Sequence, residues 1–112
     1  MNWSYIAAVI DCDGTIIISK KTIKLKTTGE IKTCFYPQII VGNTSKKLLN
    51  AIQDFTKLGY IYKTNQNKNR GYKTLWMYGV YKKIDVKYFI KQILPYLIIK
   101  KDKAREIFYK YT

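Results

Sequence analysis

The sequence Ile6-Ala7-Ala8-Val9-Ile10-Asp11-Cys12-Asp13-Gly14 lies near the start of the chain and decides how the rest is interpreted. The small, apolar residues over 5–10 predict a helix that a second helix can approach closely, because alanine side chains do not hold the two apart. Asp11 and Asp13 come where that helix must end. Carboxylates are unfavourable at a helix C-terminus, which carries partial negative charge, so a bound cation would offset the cost. The alternative is an ordinary turn, in which Asp and Gly are common.

The charge of the chain points to a polyanionic partner. The 112 residues suffice for one domain with its own core, and they include 21 Lys and Arg against 7 Asp and Glu, a formal net charge of +14. The cations are spread along the whole chain, which favours a folded surface that faces nucleic acid. A membrane surface, simple solubility and a codon bias toward Lys, Asn, Ile and Tyr are the alternatives. The codon bias leaves the scarcity of acids unexplained.

Histidine is absent and cysteine is scarce. The absence of histidine removes His general bases, His metal ligands and the usual zinc chemistries. Cys12 and Cys34 match no metal-ligand spacing, so we expect a reduced, intracellular setting, with organelle, phage-infected cell and prokaryotic cytoplasm all open. Neither a membrane span of roughly 18 apolar residues nor a signal peptide is expected.

The predicted elements follow the order α-β-β-α-β-β-α-α. After the first helix, β-type residues over 15–26 and 31–42 flank a turn at 27–30 and predict a hairpin. A cluster of N-capping residues at 43–45 then begins a helix with apolar positions at helical spacing, and Gly59 is expected to close it.

The second half of the chain repeats this pattern. Strand-like runs over 60–66 and 72–82 predict a second hairpin with a polar, basic loop between them. Asp85 is expected to cap a short helix that Pro95 stops, and a last helix begins near Asp102.

Alternation within the second strand separates its two faces. Phe35, Ile39 and Val41 lie on one side, whereas Tyr36 and Gln38 lie on the other. Pro37 cannot donate a hydrogen bond to a neighbouring strand, so it is expected near a sheet edge or a bulge.

The segment 6–14 resembles the signature nonapeptide of the LAGLIDADG homing endonucleases. Its two aspartates and its glycine match, whereas Ala8 replaces a frequent glycine and Cys12 replaces a small residue. Three further segments resemble the family, so that nearly the whole chain is covered: Pro37–Thr44, Leu58–Ile61 and Ile93–Lys101.

The resemblance implies an α+β fold, αββαββα, as a single domain over 1–112. A curved antiparallel sheet would bind DNA, and the motif helix would lie at a dimer interface. One copy of the motif is present, and single-motif members of the family are similar to homodimers in which two motif helices pack about a two-fold axis. The residues expected at that interface are Ile6, Ala7, Ala8 and Ile10. The alternative is a motif helix that serves only the core of a monomer.

The activity implied is site-specific cleavage of double-stranded DNA at a long, near-palindromic site. The resemblance implies Mg²⁺ as cofactor, for which Mn²⁺ could substitute. Asp13 matches the family's metal-binding aspartate, and the backbone carbonyl of Cys12 could add an oxygen ligand. Asp11 is expected to brace the turn rather than to act in catalysis.

Three further positions resemble catalytic positions of the family. Asn43 falls where members hold a water or a metal, and Lys47 falls where a basic residue organises solvent near the scissile phosphate. Lys100 falls where a lysine polarises the water or the phosphate. Each has an alternative: Asn43 as a helix cap, Lys47 as a solvated residue, and a neighbouring lysine in place of Lys100.

The DNA contacts implied by the resemblance are assigned from the strand alternation, and a slip of one residue would exchange the two faces. The residues assigned to the DNA-facing side of the sheet are Ser19, Lys21, Tyr36, Gln38, Tyr62, Thr64, Gln66 and Lys73. Lys68 and Arg70, at the tip of the second hairpin, are expected to reach DNA under either parity.

Two other functions stay open. The first is a catalytically inactive DNA-binding module or RNA-splicing maturase on the same fold. The second is a basic structural or ribosome-associated protein, for which paired carboxylates after an alanine-containing helix have no purpose. Both differ from the endonuclease in requiring no carboxylate beside a phosphate.

Overall fold

The computed structural model describes residues 1–64 and 75–110. The elements in chain order are α1 Trp3–Asp13, β1 Gly14–Lys24, β2 Ile31–Asn43, α2 Lys46–Thr56, β3 Tyr60–Thr64, β4 Leu75–Val80, α3 Lys83–Ile93, a 3₁₀ turn Leu94–Tyr96 and α4 Lys101–Lys110. The strands form one antiparallel sheet in the order β1-β2-β4-β3. The predicted α+β class and element order are therefore confirmed. The predicted loop of the second hairpin lies outside the described residues.

The first helix and the strand after it are joined by Gly14, where any side chain would overlap the backbone of Ile10. The side chain of Asn2 caps α1 by accepting a hydrogen bond from the Tyr5 N–H at 2.8 Å. At the other end the Gly14 N–H bonds to the Ile10 carbonyl, and a Cβ on Gly14 would lie 2.8 Å from the Ile10 Cα. The chain can therefore pass directly from α1 into β1, which places the end of the helix at the edge of the sheet.

One face of the sheet forms the core with the helices. Cross-strand neighbours on this face, such as Ile39 with Val80 and Val41 with Tyr78, are fully buried. Apolar side chains from α1, α2 and α3 pack into the same core. Because side chains alternate along a strand, the residues between these positions point to the opposite side. We call that side the open face.

Pro37 occupies an edge position without a bulge. It pairs with Ile18 in an unbroken register between β1 and β2, whereas the pairing of β2 with β4 begins only at Ile39. On the side away from β1, Pro37 therefore has no neighbouring strand among the described residues. The missing N–H costs the sheet no hydrogen bond there.

Two expected helix boundaries are wrong. The helix α2 ends at Thr56, and Lys57 takes the left-handed conformation at φ 58°, so Gly59 does not close the helix. Gly59 (φ 84°) instead turns the chain into β3 where a Cβ would lie 2.8 Å from the Gly79 carbonyl oxygen. The helix α3 begins at Lys83, which puts Asp85 in its first turn and not at its cap.

The end of the chain returns to the core. The helix α4 buries Ala104 and Ile107. No helix in the described part of the chain combines the length and the apolar character that a membrane crossing requires.

Candidate active site and nucleic-acid interface

Asp13 is an exposed carboxylate at the end of α1, and Asn43 holds it from the end of β2. The Asn43 Nδ2 donates to Asp13 Oδ2 at 3.3 Å, and the Asn43 Oδ1 accepts from the Ser45 N–H at 2.8 Å. The second bond fixes which end of the amide faces the carboxylate, because only the oxygen can accept from an N–H. Asn43 therefore presents its donor to Asp13, and its oxygen is engaged in the turn before α2. The cap of α2 itself is Ser45, whose hydroxyl accepts from the Leu48 N–H.

Asp11 is nearly buried, with 8 % of its surface exposed, and joins the first helix to a segment late in the chain. Its two carboxylate oxygens accept from the backbone N–H groups of Ile98 (2.8 Å) and Lys100 (3.0 Å). The Lys100 Nζ donates in turn to the Asp11 backbone carbonyl at 2.7 Å. We call this set of three hydrogen bonds the Asp11 clasp. It agrees with the expectation that Asp11 braces the structure, and the buried side chain is not available to substrate.

The clasp places the Lys100 ammonium at the C-terminal end of α1, two positions before Asp13. A cation at this end of a helix interacts favourably with the free carbonyl groups and the helix dipole. Lys100 and Asp13 are therefore carried by the same helix end, one through a hydrogen bond and the other covalently.

Lys47 lies exposed in the first turn of α2, on the helix that begins just after Asn43. Its neighbour Lys46 places its Nζ 4.5 Å from the centre of the Trp76 ring. The structure gives Lys47 no contact with Asp13 or Lys100. Its proposed role near a phosphate stays a prediction.

The possible metal ligands around Asp13 are few, which suits a cation that binds to proteins through few side chains. The described residues contain no group of three or more His, Cys, Asp or Glu side chains that could hold a metal ion. Asn43 donates to one of the Asp13 oxygens, and the carboxylate is exposed to solvent. An exposed carboxylate with a neighbouring backbone carbonyl suits Mg²⁺, which keeps several waters and commonly binds proteins through one or two carboxylates.

The strand register places six of the expected DNA contacts on the open face. Ser19 pairs with Tyr36, and Tyr62 lies opposite Met77. These positions alternate along their strands with the residues that face the core, so they lie on the open face. By the same alternation, Lys21, Gln38 and Thr64 also lie on the open face. The contacts themselves stay predictions. Four of the expected residues lie outside the described ranges: Gln66, Lys68, Arg70 and Lys73.

Two features of the open face were missed by sequence reasoning. Cys34 and Tyr36 lie two residues apart on the open face, and interaction with the Cys34 side chain raises the pKa of Tyr36. The hydroxyls of Tyr62 and Tyr81 lie 2.9 Å apart, although Tyr81 lies just beyond the end of β4. The signal for the second feature was Gly79, since a glycine inside a strand often marks a close approach by another group.

The exposed surface of α1 is not the one that sequence reasoning chose. Ile6, Ala7 and Ile10 are fully buried in the core of the chain, so their side chains have no surface left for a partner. Ala8 is exposed, and it shares one side of the helix with Tyr5 and Cys12, which lie three residues before it and four after it. We call these three residues the α1 stripe.

Comparison with known proteins identifies the family. The sequence profile described as a LAGLIDADG-like domain matches residues 2–94. The chain belongs to this LAGLIDADG-like family. The match contains the motif of α1 and extends through α3, so the resemblance of the nonapeptide is confirmed. Within the LAGLIDADG-like match lie Asp13, Asn43 and Lys47, whereas Lys100 lies beyond it.

Solved structures of homing endonucleases share the fold of this LAGLIDADG-like chain. One is the homing endonuclease I-CvuI in complex with the I-CreI target in the presence of Mg, its DNA not cleaved (18 % identity, 95 % of this chain and 62 % of that chain, TM-score 0.72). Another is the archaeal intron-encoded homing endonuclease I-Vdi141I with DNA (19 %, 92 % and 62 %, TM-score 0.72). A third is the LAGLIDADG homing endonuclease I-GzeII with its DNA target (23 %, 98 % and 34 %, TM-score 0.72).

These similarities establish the fold and leave the activity to be argued from the residues. The LAGLIDADG-like chain spans about three fifths of the length of the first two structures and about a third of the third. A search of curated protein sequences finds no match.

Proposed function

We propose that this chain is one subunit of a homodimeric, site-specific endonuclease that cleaves double-stranded DNA with Mg²⁺. The observation that carries the proposal is the position of Asp13. Its exposed carboxylate ends the motif helix at the point where β1 begins, and Asn43 holds it there. A carboxylate at this edge of a polar, cationic sheet face has a use in phosphate chemistry that binding alone does not require.

The open face supports binding to a DNA duplex. On this face β1, β2 and β3 carry lysine, tyrosine, serine, threonine and glutamine side chains, and β4 adds Leu75, Met77 and Gly79. The other face is covered by the helices. Lysines would contact phosphates, and the tyrosines and amides would read base edges in the major groove. The solved structures of the same fold with DNA, including I-CvuI and I-Vdi141I, support this assignment.

The metal would bind at Asp13, with the Cys12 backbone carbonyl as a second oxygen ligand. A bound Mg²⁺ would supply a nucleophilic water and stabilise negative charge on the scissile phosphate. The structures of I-CvuI with DNA in the presence of Mg or of Ca support a divalent metal. Asn43 orients the Asp13 carboxylate by its hydrogen bond. Lys100 supplies a fixed positive charge at the same helix end, where it favours the developing charge on phosphate.

The dimer would form through the α1 stripe. Tyr5 is 50 % exposed, and the small side chains of Ala8 and Cys12 lie between it and the end of the helix. Beside that end lie Ile98 and Ile99, which are 85 % and 73 % exposed and are tethered to α1 by the Asp11 clasp. A second copy related by a two-fold axis would cover these side chains, and it would bring a second Asp13 to serve the other DNA strand.

The decisive experiment compares cleavage by wild type and Asp13→Asn. Each protein is incubated with a pool of long duplexes and Mg²⁺, and the ends are sequenced. We expect wild type to cut at one recurrent site, whereas the variant binds that site and leaves it intact. Asp54→Asn is the matched control, because Asp54 is an exposed carboxylate on α2. Cleavage by Asp13→Asn at the wild-type rate would overturn the proposed role of Asp13.

A second candidate function is RNA binding without cleavage, as in a splicing maturase. The observation that favours it is a row of exposed lysines on α3, Lys83, Lys87 and Lys91, each one turn from the next. Ile84 and Tyr88 lie beside this row and are 77 % and 50 % exposed. Since the other side of α3 packs on the core, the row points away from the open face and would stay uncovered by a duplex bound there.

The two candidates are separated by competition. If the α3 row binds RNA, a structured RNA will still bind when the sheet is saturated with its target duplex. The double substitution Lys83→Gln and Lys91→Gln would then weaken RNA binding and leave duplex binding unchanged. Equal losses for both ligands, or full displacement of RNA by the duplex, would contradict a separate RNA surface.

A further inference from the structure

Two tyrosines from different elements meet on the open face. Tyr62 lies on β3 opposite Met77, with 41 % of its surface exposed, and its hydroxyl lies 2.9 Å from the hydroxyl of Tyr81. Tyr81 lies just beyond β4, and alternation from the buried Val80 assigns it to the same side of the sheet as Gly79 and Met77. The hydrogen bond agrees with this assignment, because it joins Tyr81 to a side chain of the open face.

Gly79 makes room for the Tyr81 ring. It pairs with Ile40 on one side and with Tyr60 on the other, so it belongs to the open face. A Cβ on Gly79 would collide with the Tyr81 ring and with its hydroxyl oxygen. The ring therefore lies back along the backbone of β4, in a place that only glycine leaves free. A side chain at position 79 would displace the ring, and with it the hydroxyl that meets Tyr62.

The hydrogen bond between the two hydroxyls decides whether Tyr62 acts as a donor or as an acceptor toward a bound ligand. Burial raises the pKa of Tyr81, and the hydrogen bond with Tyr62 raises it further, so both favour the protonated, donating form of the Tyr81 hydroxyl. Among the described residues, Tyr62 is the hydrogen-bond partner of that hydroxyl. The half-buried Tyr81 O–H is satisfied if it donates to the Tyr62 oxygen. The Tyr62 O–H is then directed outward as a donor.

We propose that Tyr81 is a positioning residue for base recognition: it holds the Tyr62 hydroxyl as an outward donor that requires an acceptor on the base it meets. This inference rests on the proposed binding of DNA to the open face. In the major groove, guanine, adenine and thymine each present an acceptor, whereas cytosine presents only an amino donor. The pair would therefore reject cytosine at one position of the recognition site. Without Tyr81, the Tyr62 hydroxyl could rotate and accept from cytosine as well.

The test is selection of binding sites from a pool of duplexes, followed by affinities for the selected site and for its cytosine variants. Metal is omitted, so that binding is measured without cleavage. We expect Tyr81→Phe to reduce the discrimination against cytosine at one position by about threefold to tenfold, the range of one hydrogen bond. Tyr62→Phe should abolish the same discrimination. The double variant should match Tyr62→Phe, because Tyr81 acts only through Tyr62.

The matched control is Tyr60→Phe. Tyr60 lies on the same face of the same strand, two residues before Tyr62, and is 57 % exposed. Its loss of a hydroxyl should leave the cytosine discrimination at the Tyr62 position unchanged. A thermal melt of every variant reports stability, which a purely structural role of Tyr81 would lower without changing base preference.

The outcomes separate this proposal from the proposed function. If wild type selects a site and Tyr81→Phe selects it with the same base preferences, Tyr81 has no positioning role and the endonuclease proposal stands. Additive losses of discrimination in the double variant would show that Tyr81 contacts DNA independently, and they would overturn the proposal as well. If wild type enriches no sequence, both proposals fail together.

Discussion

Removing the charge of Asp11 tests whether the clasp between residue 11 and residues 98–100 holds the fold. The substitution Asp11→Asn keeps the size of the side chain but replaces one acceptor oxygen with an NH₂ group. Asp11 accepts from two backbone N–H groups, those of Ile98 and Lys100. In the variant, one of these two N–H groups would face the new NH₂ group, which cannot accept a hydrogen bond, in a position that is nearly closed to solvent.

The expected cost is set by these two bonds. A hydrogen bond to a charged group contributes about 1.5–3 kcal/mol, and the variant loses one of them. The remaining bond is weakened, because a neutral acceptor makes a weaker bond than a carboxylate. We therefore expect the free energy of unfolding to fall by about 3 kcal/mol. For a domain of this size, that change corresponds to a decrease in Tm of roughly 12 °C.

Urea denaturation followed by circular dichroism measures this change. The free energy of unfolding should fall with urea concentration at the same slope for the wild type, for Asp11→Asn and for the surface control Asp54→Asn. This slope reports the surface exposed on unfolding. The midpoint should fall for Asp11→Asn alone. Equal midpoints for the two variants would refute the argument that the clasp stabilises the fold, because Asp54 is exposed and lies outside the clasp.

Four further outcomes are expected. Gly14→Ala should lower the free energy of unfolding by about 1–3 kcal/mol in thermal melts, because the added Cβ would lie 2.8 Å from the Ile10 Cα. Ala8→Glu should convert a dimer into a folded monomer in light scattering, and a wild type that is monomeric at micromolar concentration would count against the α1 stripe as an interface. Alkylation of Cys12 should slow as the protein concentration rises, whereas alkylation of Cys34, on the open face, should slow on addition of a bound duplex. Duplex binding should weaken steeply with salt, since counterions are released at each lysine–phosphate contact, and a flat dependence would contradict those contacts.

The sheet was the part of the fold most open to prediction from sequence. The alternation in β2 separates Ile39 and Val41 from Tyr36 and Gln38, and the structure keeps that separation across all four strands. Alternation is a local property of a strand, so the sequence alone carries it. The position of Pro37 is explained by the same local chemistry, because a residue without an N–H must avoid a paired side.

The orientation of α1 could not be predicted in the same way. Residues 6–10 are all apolar, so periodicity does not distinguish a face that packs on the chain's own core from a face that is left exposed. Ile6, Ala7 and Ile10 went to the core, and the exposed side was left to Tyr5, Ala8 and Cys12.

The long-range contacts of the candidate site were also beyond the sequence. Asp11 meets residues 98 and 100 through contacts that no local spacing encodes, whereas Gly79 was the one local signal for the contact of Tyr62 with Tyr81. The family resemblance did indicate Asp13 and Asn43, which the structure places in hydrogen-bond contact.

The Asp11 clasp also orders events during synthesis of the chain. The end of α1 that carries Asp13 is synthesised before residues 98–100. The Asp11 carboxylate can accept its two hydrogen bonds only when those residues have left the ribosome. Until then the nascent chain has both halves of the sheet and no lysine at the helix end. Contacts between distant parts of a sequence form late and slow folding. The lysine of the site proposed for phosphate chemistry is therefore placed among the last features of the domain, so a chain that stops before residue 98 would lack Lys100 and the Asp11 clasp.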